Sequence, residues 1–123
     1  MDITDVKVLR QFETSVPGPD GINRFITIVG VLRIPLRGAQ GAQTYRYLIG
    51  PAFQPHEVLG VSYLPSVAAL NLDLAEMAGC TMNSFDAEFD VDSGRVEATI
   101  ELLVLGAVES ISVVFSLTIL TAS

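Results

Sequence analysis

The clearest pattern in the chain is a strict alternation of apolar and polar residues in its C-terminal third, from Ser84 to Thr121. In the first run, every second position is apolar and the positions between are acidic: Phe85, Ala87, Phe89 and Val91 against Asp86, Glu88, Asp90 and Asp92. A period of two residues is typical of a β-strand with one buried and one wet face. The run therefore predicts a strand with an acidic outer face.

Two more alternating runs follow it. Asp92, Ser93 and Gly94 favour a turn between the first two runs, because Gly can take the positive φ of a tight hairpin. The inward residues of the second run are Val96, Ala98, Ile100, Leu102 and Val104, and those of the third are Ile111, Val113, Phe115, Leu117 and Ile119. This third of the chain predicts three consecutive strands.

Residues 5–14, 24–36, 44–49 and 58–64 predict four earlier strands. Stretches rich in Pro and Gly, at 16–21 and 38–43, predict loops between them. Residues 24–36 are apolar on both parities, and Gly30 at their centre is the expected bulge at which the inward face switches. A strand that is apolar on both faces must be covered on both.

Residues 66–78 carry two conflicting signals. Ser66 can cap a helix, Gly79 can end it, and the apolar residues between fit a helical stripe. Leu70, Leu72 and Leu74 also alternate with polar residues, as in a strand. We interpret the segment as a short helix or helical turn.

The predicted fold is a mainly β, antiparallel, jelly-roll-like β-sandwich of about seven strands with this one helical element near residues 66–78. A closed antiparallel topology is the alternative. At 123 residues the chain is expected to form one domain, residues 1–123.

The charge is unevenly distributed, and the distribution bears on partners. The net charge is −7, yet residues 21–56 contain four arginines and no acid, whereas residues 57–123 contain ten acids and Arg95 as the sole Arg or Lys. Four arginines diluted among apolar residues make a poor phosphate-binding surface, so nucleic acid is an unfavourable partner. We expect these arginines to pair with acids of neighbouring strands or of another copy.

Composition indicates a folded protein with no membrane span. Half of the residues are apolar, 17% are charged and the mean hydropathy is +0.48, which excludes disorder. No apolar run reaches the length of a spanning helix, and the N-terminus has no signal-peptide pattern. The expected location is the cytoplasm or an assembled particle.

Candidate catalytic chemistry is sparse. Asp90, Asp92 and Gly94 imitate the start of a calcium loop but lack its distal Glu, and the hairpin explains them as well. His56 is the sole histidine, and Cys80 the sole cysteine, which we interpret as a buried structural thiol. No Gly-x-Ser-x-Gly elbow occurs. We expect no enzyme activity, cofactor or metal.

A small-ligand patch is the second functional hypothesis. Tyr45, Tyr47, Tyr63 and His56 could form a sugar-stacking or ligand-binding surface on one face of the sandwich. Core or interface packing is the competing interpretation, since Tyr buries a large area and keeps a hydroxyl for a hydrogen bond.

The excess of apolar positions supports the first functional hypothesis, self-association. Leu103, Leu105, Val114 and Leu120 lie on the outward parity of the last two strands. Monomers rarely expose large apolar patches, and each such side chain contributes about 1.5 to 3 kcal/mol when covered. The sequence therefore predicts a structural or assembly protein that forms a homo-oligomer through apolar strand faces and Arg-to-acid pairing. The expected interface residues are Leu103, Leu105, Val114, Leu120, Arg33 and Arg37.

Overall fold

A computed structural model describes residues 6–18, 21–37, 39–72, 79–106 and 108–122. These residues form seven strands and no helix. The strands are β1 (Val6–Gly18), β2 (Gly21–Pro35), β3 (Gly41–Ile49), β4 (Val58–Leu72), β5 (Gly79–Asp90), β6 (Arg95–Leu105) and β7 (Val108–Ala122). The prediction of an all-antiparallel β fold is confirmed.

The strands form two sheets. One has the order β1-β2-β7-β4 and the other the order β3-β6-β5, and every pair is antiparallel. β2 is hydrogen-bonded to β7 in the four-stranded sheet, and β3 is hydrogen-bonded to β6 in the three-stranded sheet. The connections from β2 to β3 and from β6 to β7 therefore both cross from one sheet to the other, side by side. This nesting gives the sandwich its jelly-roll-like character.

The core lies between the sheets and follows the predicted alternation. Ile100, Leu117 and their alternating neighbours on β6 and β7 are fully buried. Phe85 and Ala87 are also buried, but Val91 is 65% exposed because β5 ends at Asp90 and the turn begins there. The inward positions of the last two predicted strands are therefore correct, and those of the first hold as far as the strand extends.

The helical interpretation of residues 66–78 is wrong over the part that the structure describes. Ser66 to Leu72 continue β4 and pair with β7 down to the Leu72↔Val108 pair, and residues 73–78 lie outside the described residues. Two bulges, at Val67/Ala69 and Asn71/Leu72, interrupt the register here. Ladder pairing with a long central strand outweighs a local helix signal that competes with a strand signal.

The predicted face switch at Gly30 is also wrong. The even-numbered positions of β2 from Ile26 to Ile34 all face inward, and Gly30 is one of these buried positions. The bulge lies in β1, where the register shifts between Val8 and Arg10 opposite this glycine. Pairing of β1 with β2 also continues to Gly18 and Gly21. Residues 16–18 and Gly21, which the sequence predicts to lie in a loop, therefore belong to strands.

Two contacts show how the sheets stack. The Tyr47 hydroxyl of β3 donates to the Arg33 carbonyl of β2 at 3.5 Å. At the other side of the sandwich, the rings of Tyr63 on β4 and Phe85 on β5 have their centroids 5.5 Å apart. The strands β3, β6 and β5 therefore lie opposite β2, β7 and β4. The edge strand β1 has no described strand opposite it.

Candidate functional site

The outer surface of the four-stranded sheet is nearly free of charge. We call it the charge-poor face, and its residues, taken strand by strand, are Arg10, Phe12, Thr14, Val16, Phe25, Thr27, Val29, Val31, Arg33, Ser112, Val114, Ser116, Thr118, Leu120, Gly60, Ser62, Leu64 and Ser66. None of these is acidic, and two arginines supply its charge. Apart from these arginines and Gly60, its side chains are apolar or carry a hydroxyl group.

The register explains this composition. Thr27 and Thr118 pair across β2 and β7, and their hydroxyl oxygens are 3.1 Å apart, so the hydroxyls satisfy each other. Val114 is half-buried by its neighbours, whereas Leu64 on β4 is 76% exposed and Phe12 on β1 is 48% exposed. Large exposed apolar side chains thus lie on both edge strands of the sheet, and half-buried side chains lie between them.

The outer surface of the three-stranded sheet is acidic at one end. We call it the acidic face, and it consists of Ala42, Thr44, Arg46, Leu48, Thr81, Ser84, Asp86, Glu88, Asp90, Arg95, Glu97, Thr99, Glu101, Leu103 and Leu105. The acids concentrate towards the β5–β6 hairpin. Leu103, Leu105 and Ala42 form an apolar patch at the opposite end.

The two arginines of the acidic face neutralise little of it. Arg95 lies across the sheet and donates to the carbonyl oxygens of Gly50 at 2.8 Å and Leu48 at 3.3 Å. Arg46 Nε is 3.9 Å from Glu97 Oε1, a long and exposed ion pair that contributes little. The face therefore carries an excess of negative charge, with five acids against two arginines.

A shallow groove crosses the acidic end. It has a volume of about 290 Å³ and is lined by Asp86, Glu88, Phe89, Asp90, Glu97 and Thr99. Across the described part of the chain, no cluster of three or more His, Cys, Asp or Glu side chains is arranged to hold a metal ion. The acids that line the groove belong to the acidic face.

Hydrogen bonds fix two of these acids. The hydroxyl and backbone N–H of Ser93 bond to the Asp90 carboxylate, the N–H at 3.1 Å, and hold the pKa of Asp90 below its usual value. Tyr63 donates its hydroxyl to Asp86 Oδ1 at 2.9 Å, and this bond raises the pKa of Tyr63. Both acids are held in place as part of the outer surface.

The predicted interface residues lie on opposite sides of the molecule. Leu103 and Leu105, 38% and 62% exposed, belong to the acidic face, whereas Val114 and Leu120 are half-buried on the charge-poor face. Arg33 is exposed on the charge-poor face. Arg37 is exposed in the turn after β2, with a positive φ of 52°. No single patch contains all six.

The residues of the predicted ligand patch are not brought together. Tyr45 and Tyr47 are inward residues of β3, 5% and 1% exposed, so their rings belong to the core. Tyr63 packs at the β4–β5 side, and His56 is exposed in the turn before β4. The competing interpretation of core packing fits the two central tyrosines.

Cys80 is part-buried against the core, and this burial raises the pKa of its thiol. A thiol with a raised pKa holds less of the reactive thiolate at neutral pH. In the part of the chain that the structure describes, no helix is of the length and hydropathy needed to span a membrane.

Several surface residues escaped the sequence analysis. Phe12, Phe25 and Leu64 belong to the charge-poor face but were not identified as interface residues. Leu64 could have been found, because it has the opposite parity to Val61 and Tyr63 on the same strand. Phe12 could not, since its orientation follows from the β1 bulge, which has no signal in the sequence.

Comparison of the chain with protein-family models, curated proteins and solved structures finds no match.

Proposed function

We propose that this chain is a non-enzymatic structural module that self-associates head to tail, with the charge-poor face of one copy on the acidic face of the next. The observation that carries the proposal is the division of charge between the two outer faces. One presents arginines without acids, and the other presents five acids and two arginines that are already engaged.

Charge and apolar surface match in one relative orientation. Arg33 lies towards the end of β2 that leads into β3, and Leu103, opposite Ala42, lies at this same end. The acids and the Phe25↔Leu120 pair lie towards the other end. When two copies stack with strand directions reversed, Arg33 approaches the acids while Leu103 approaches the phenyl ring of Phe25.

A head-to-tail contact also covers more than a symmetric one. If two charge-poor faces met each other, Leu103 and Leu105 would stay in water, and two acidic faces would repel. Contact between unlike faces covers Leu103 and Leu105 of the acidic face and the apolar side chains of the charge-poor face at once. Complementary charge then fixes the register and the partner more than the affinity.

The area available makes each contact weak. Three strands about 4.8 Å apart, over nine residues of about 3.4 Å each, cover about 450 Å² per copy. About 900 Å² across both copies is typical of transient association. We therefore expect self-association in the micromolar range, strengthened when several contacts act together.

Sedimentation velocity over about 1 to 100 µM tests this proposal. We expect species larger than the 13.2 kDa monomer that grow with concentration. Arg33→Glu should weaken the association because it places an acid opposite acids, whereas Arg33→Lys, which keeps the charge, should largely retain it. A 13.2 kDa monomer at every concentration would contradict the proposal.

A further inference from the structure

The edge strand β1 of the four-stranded sheet has no described strand packed beneath it. Every described side chain from Val8 to Pro17 is exposed, on both faces of the strand. β2 is the next strand of the same sheet, and its inward residues are buried because β3 lies beneath it. The three-stranded sheet stops one strand short, so a position beside β3 and beneath β1 is unfilled by any described strand.

Two strand edges border this position. β3 and β1 are each the last strand of their sheet, and each has an edge to which no described strand is hydrogen-bonded. Neither Gly41–Ile49 nor the segment 8–16 contains proline, so both strands keep their backbone donors. Edges of this kind are templates for another strand.

We propose that a second copy of the chain fills the position with its own β1. A two-fold axis parallel to the strands places β1 of each copy beside β3 of the other and sets the two β1 strands face to face. The four-stranded sheet of one copy then continues into the three-stranded sheet of its partner, on both layers. This inference rests on the proposed self-association and adds an interface separate from the outer faces.

Strand direction and side chains agree with this geometry. β1 and β3 both run opposite to β2, so the new pair is parallel, a pairing that mixed sheets accommodate. Val8, paired with Gly30 and 45% exposed, faces the vacancy and would meet its symmetry mate. Gln11 and Ser15 lie on the same inward side of β1 and can hydrogen-bond to their symmetry mates, so burial of Val8 adds to a contact that is mainly polar.

The charges at the rim also balance. Glu13 Oε2 lies 3.9 Å from Arg24 Nη1 in each copy, on the vacancy side of the sheet. The two-fold axis brings two such pairs together, each already neutral. Glu13 of one copy can then bond to Arg24 of the other, so no unpaired charge is enclosed.

Hydrogen exchange measured at low and high protein concentration tests the inference. The free-edge amides of β3, within Gly41–Ile49, should exchange at least about tenfold more slowly when the protein is associated, because backbone bonding to β1 of the partner protects them. Val8→Asp should abolish this concentration dependence. Val91→Asp, a matched change at a side chain 65% exposed in the β5–β6 turn, should not.

The outcomes separate this inference from the proposed function. Oligomers in which the β3 amides exchange equally fast at all concentrations would overturn the strand exchange alone. Concentration-dependent protection that Val91→Asp removes as fully as Val8→Asp would overturn it also. A protein that stays monomeric throughout would contradict both.

Discussion

Truncation of Leu105 should weaken head-to-tail association by a predictable amount. This side chain is 62% exposed, so a covering copy removes about three fifths of its surface from water. Full burial of a leucine contributes about 1.5 to 3 kcal/mol, which makes this share about 1 to 2 kcal/mol. Since about 1.4 kcal/mol is a factor of ten, Leu105→Ala should raise the dissociation constant about 5- to 25-fold.

The assay is sedimentation velocity over a dilution series, with all chains also carrying Val8→Asp so that only the face contact is measured. Val91→Ala is the matched control, because Val91 is 65% exposed but lies in the β5–β6 turn, on neither outer face. We expect Val91→Ala to leave association unchanged. Equal effects of the two truncations, or no effect of Leu105→Ala, would refute the reasoning.

Two further predictions concern the hairpin that carries the acids. Gly94 has a φ of 72°, and a Cβ there would lie 2.9 Å from the Phe53 carbonyl oxygen, so Gly94→Ala should lower the free energy of unfolding, measured with denaturant, by about 1 to 3 kcal/mol. Gly60→Ala is the control, because a Cβ at Gly60 would have nothing within 4 Å and should lower the free energy of unfolding by less than about 1 kcal/mol. Equal losses for the two variants would contradict this. The pKa of Asp90 is lowered by Ser93, so the stability it contributes is present above the unfolded pKa of about 3.9 and is lost as pH falls through the folded value. Ser93→Ala should therefore lower the melting temperature most near neutral pH, and the difference from the parent chain should narrow as the pH falls below the unfolded pKa of about 3.9. A difference that stays constant with pH would contradict the role of this hydrogen bond.

Strand alternation made most of the fold predictable. Phe115, Leu117 and their neighbours on β7 pack inward as the period of two indicates, because burial of one face determines the register of a long strand. The segment after Ser66 was not predictable in the same way. Its local residues satisfy both a helix and a strand, and only pairing with β7, a contact distant in sequence, decides between them.

The surface was less predictable than the core. Parity correctly identified Leu103 and Val114 as outward residues, but it could not show that they occupy opposite sides of the molecule. That separation follows from the assignment of β6 and β7 to different sheets. Tyr47 illustrates the reverse case, since a tyrosine in a short strand suits a surface or a core, and only the position of β3 beneath β2 places its ring inside.

The most direct test of head-to-tail association is a mixing experiment with two blocked chains in the Val8→Asp background. Leu105→Asp blocks the acidic face and Val114→Asp blocks the charge-poor face, so each chain alone should sediment as a monomer. Mixed in equal amounts, they should form a dimer and nothing larger, because each keeps the one face that the other lacks. A mixture that remains monomeric, or either variant associating alone as well as the unblocked chain, would contradict the account.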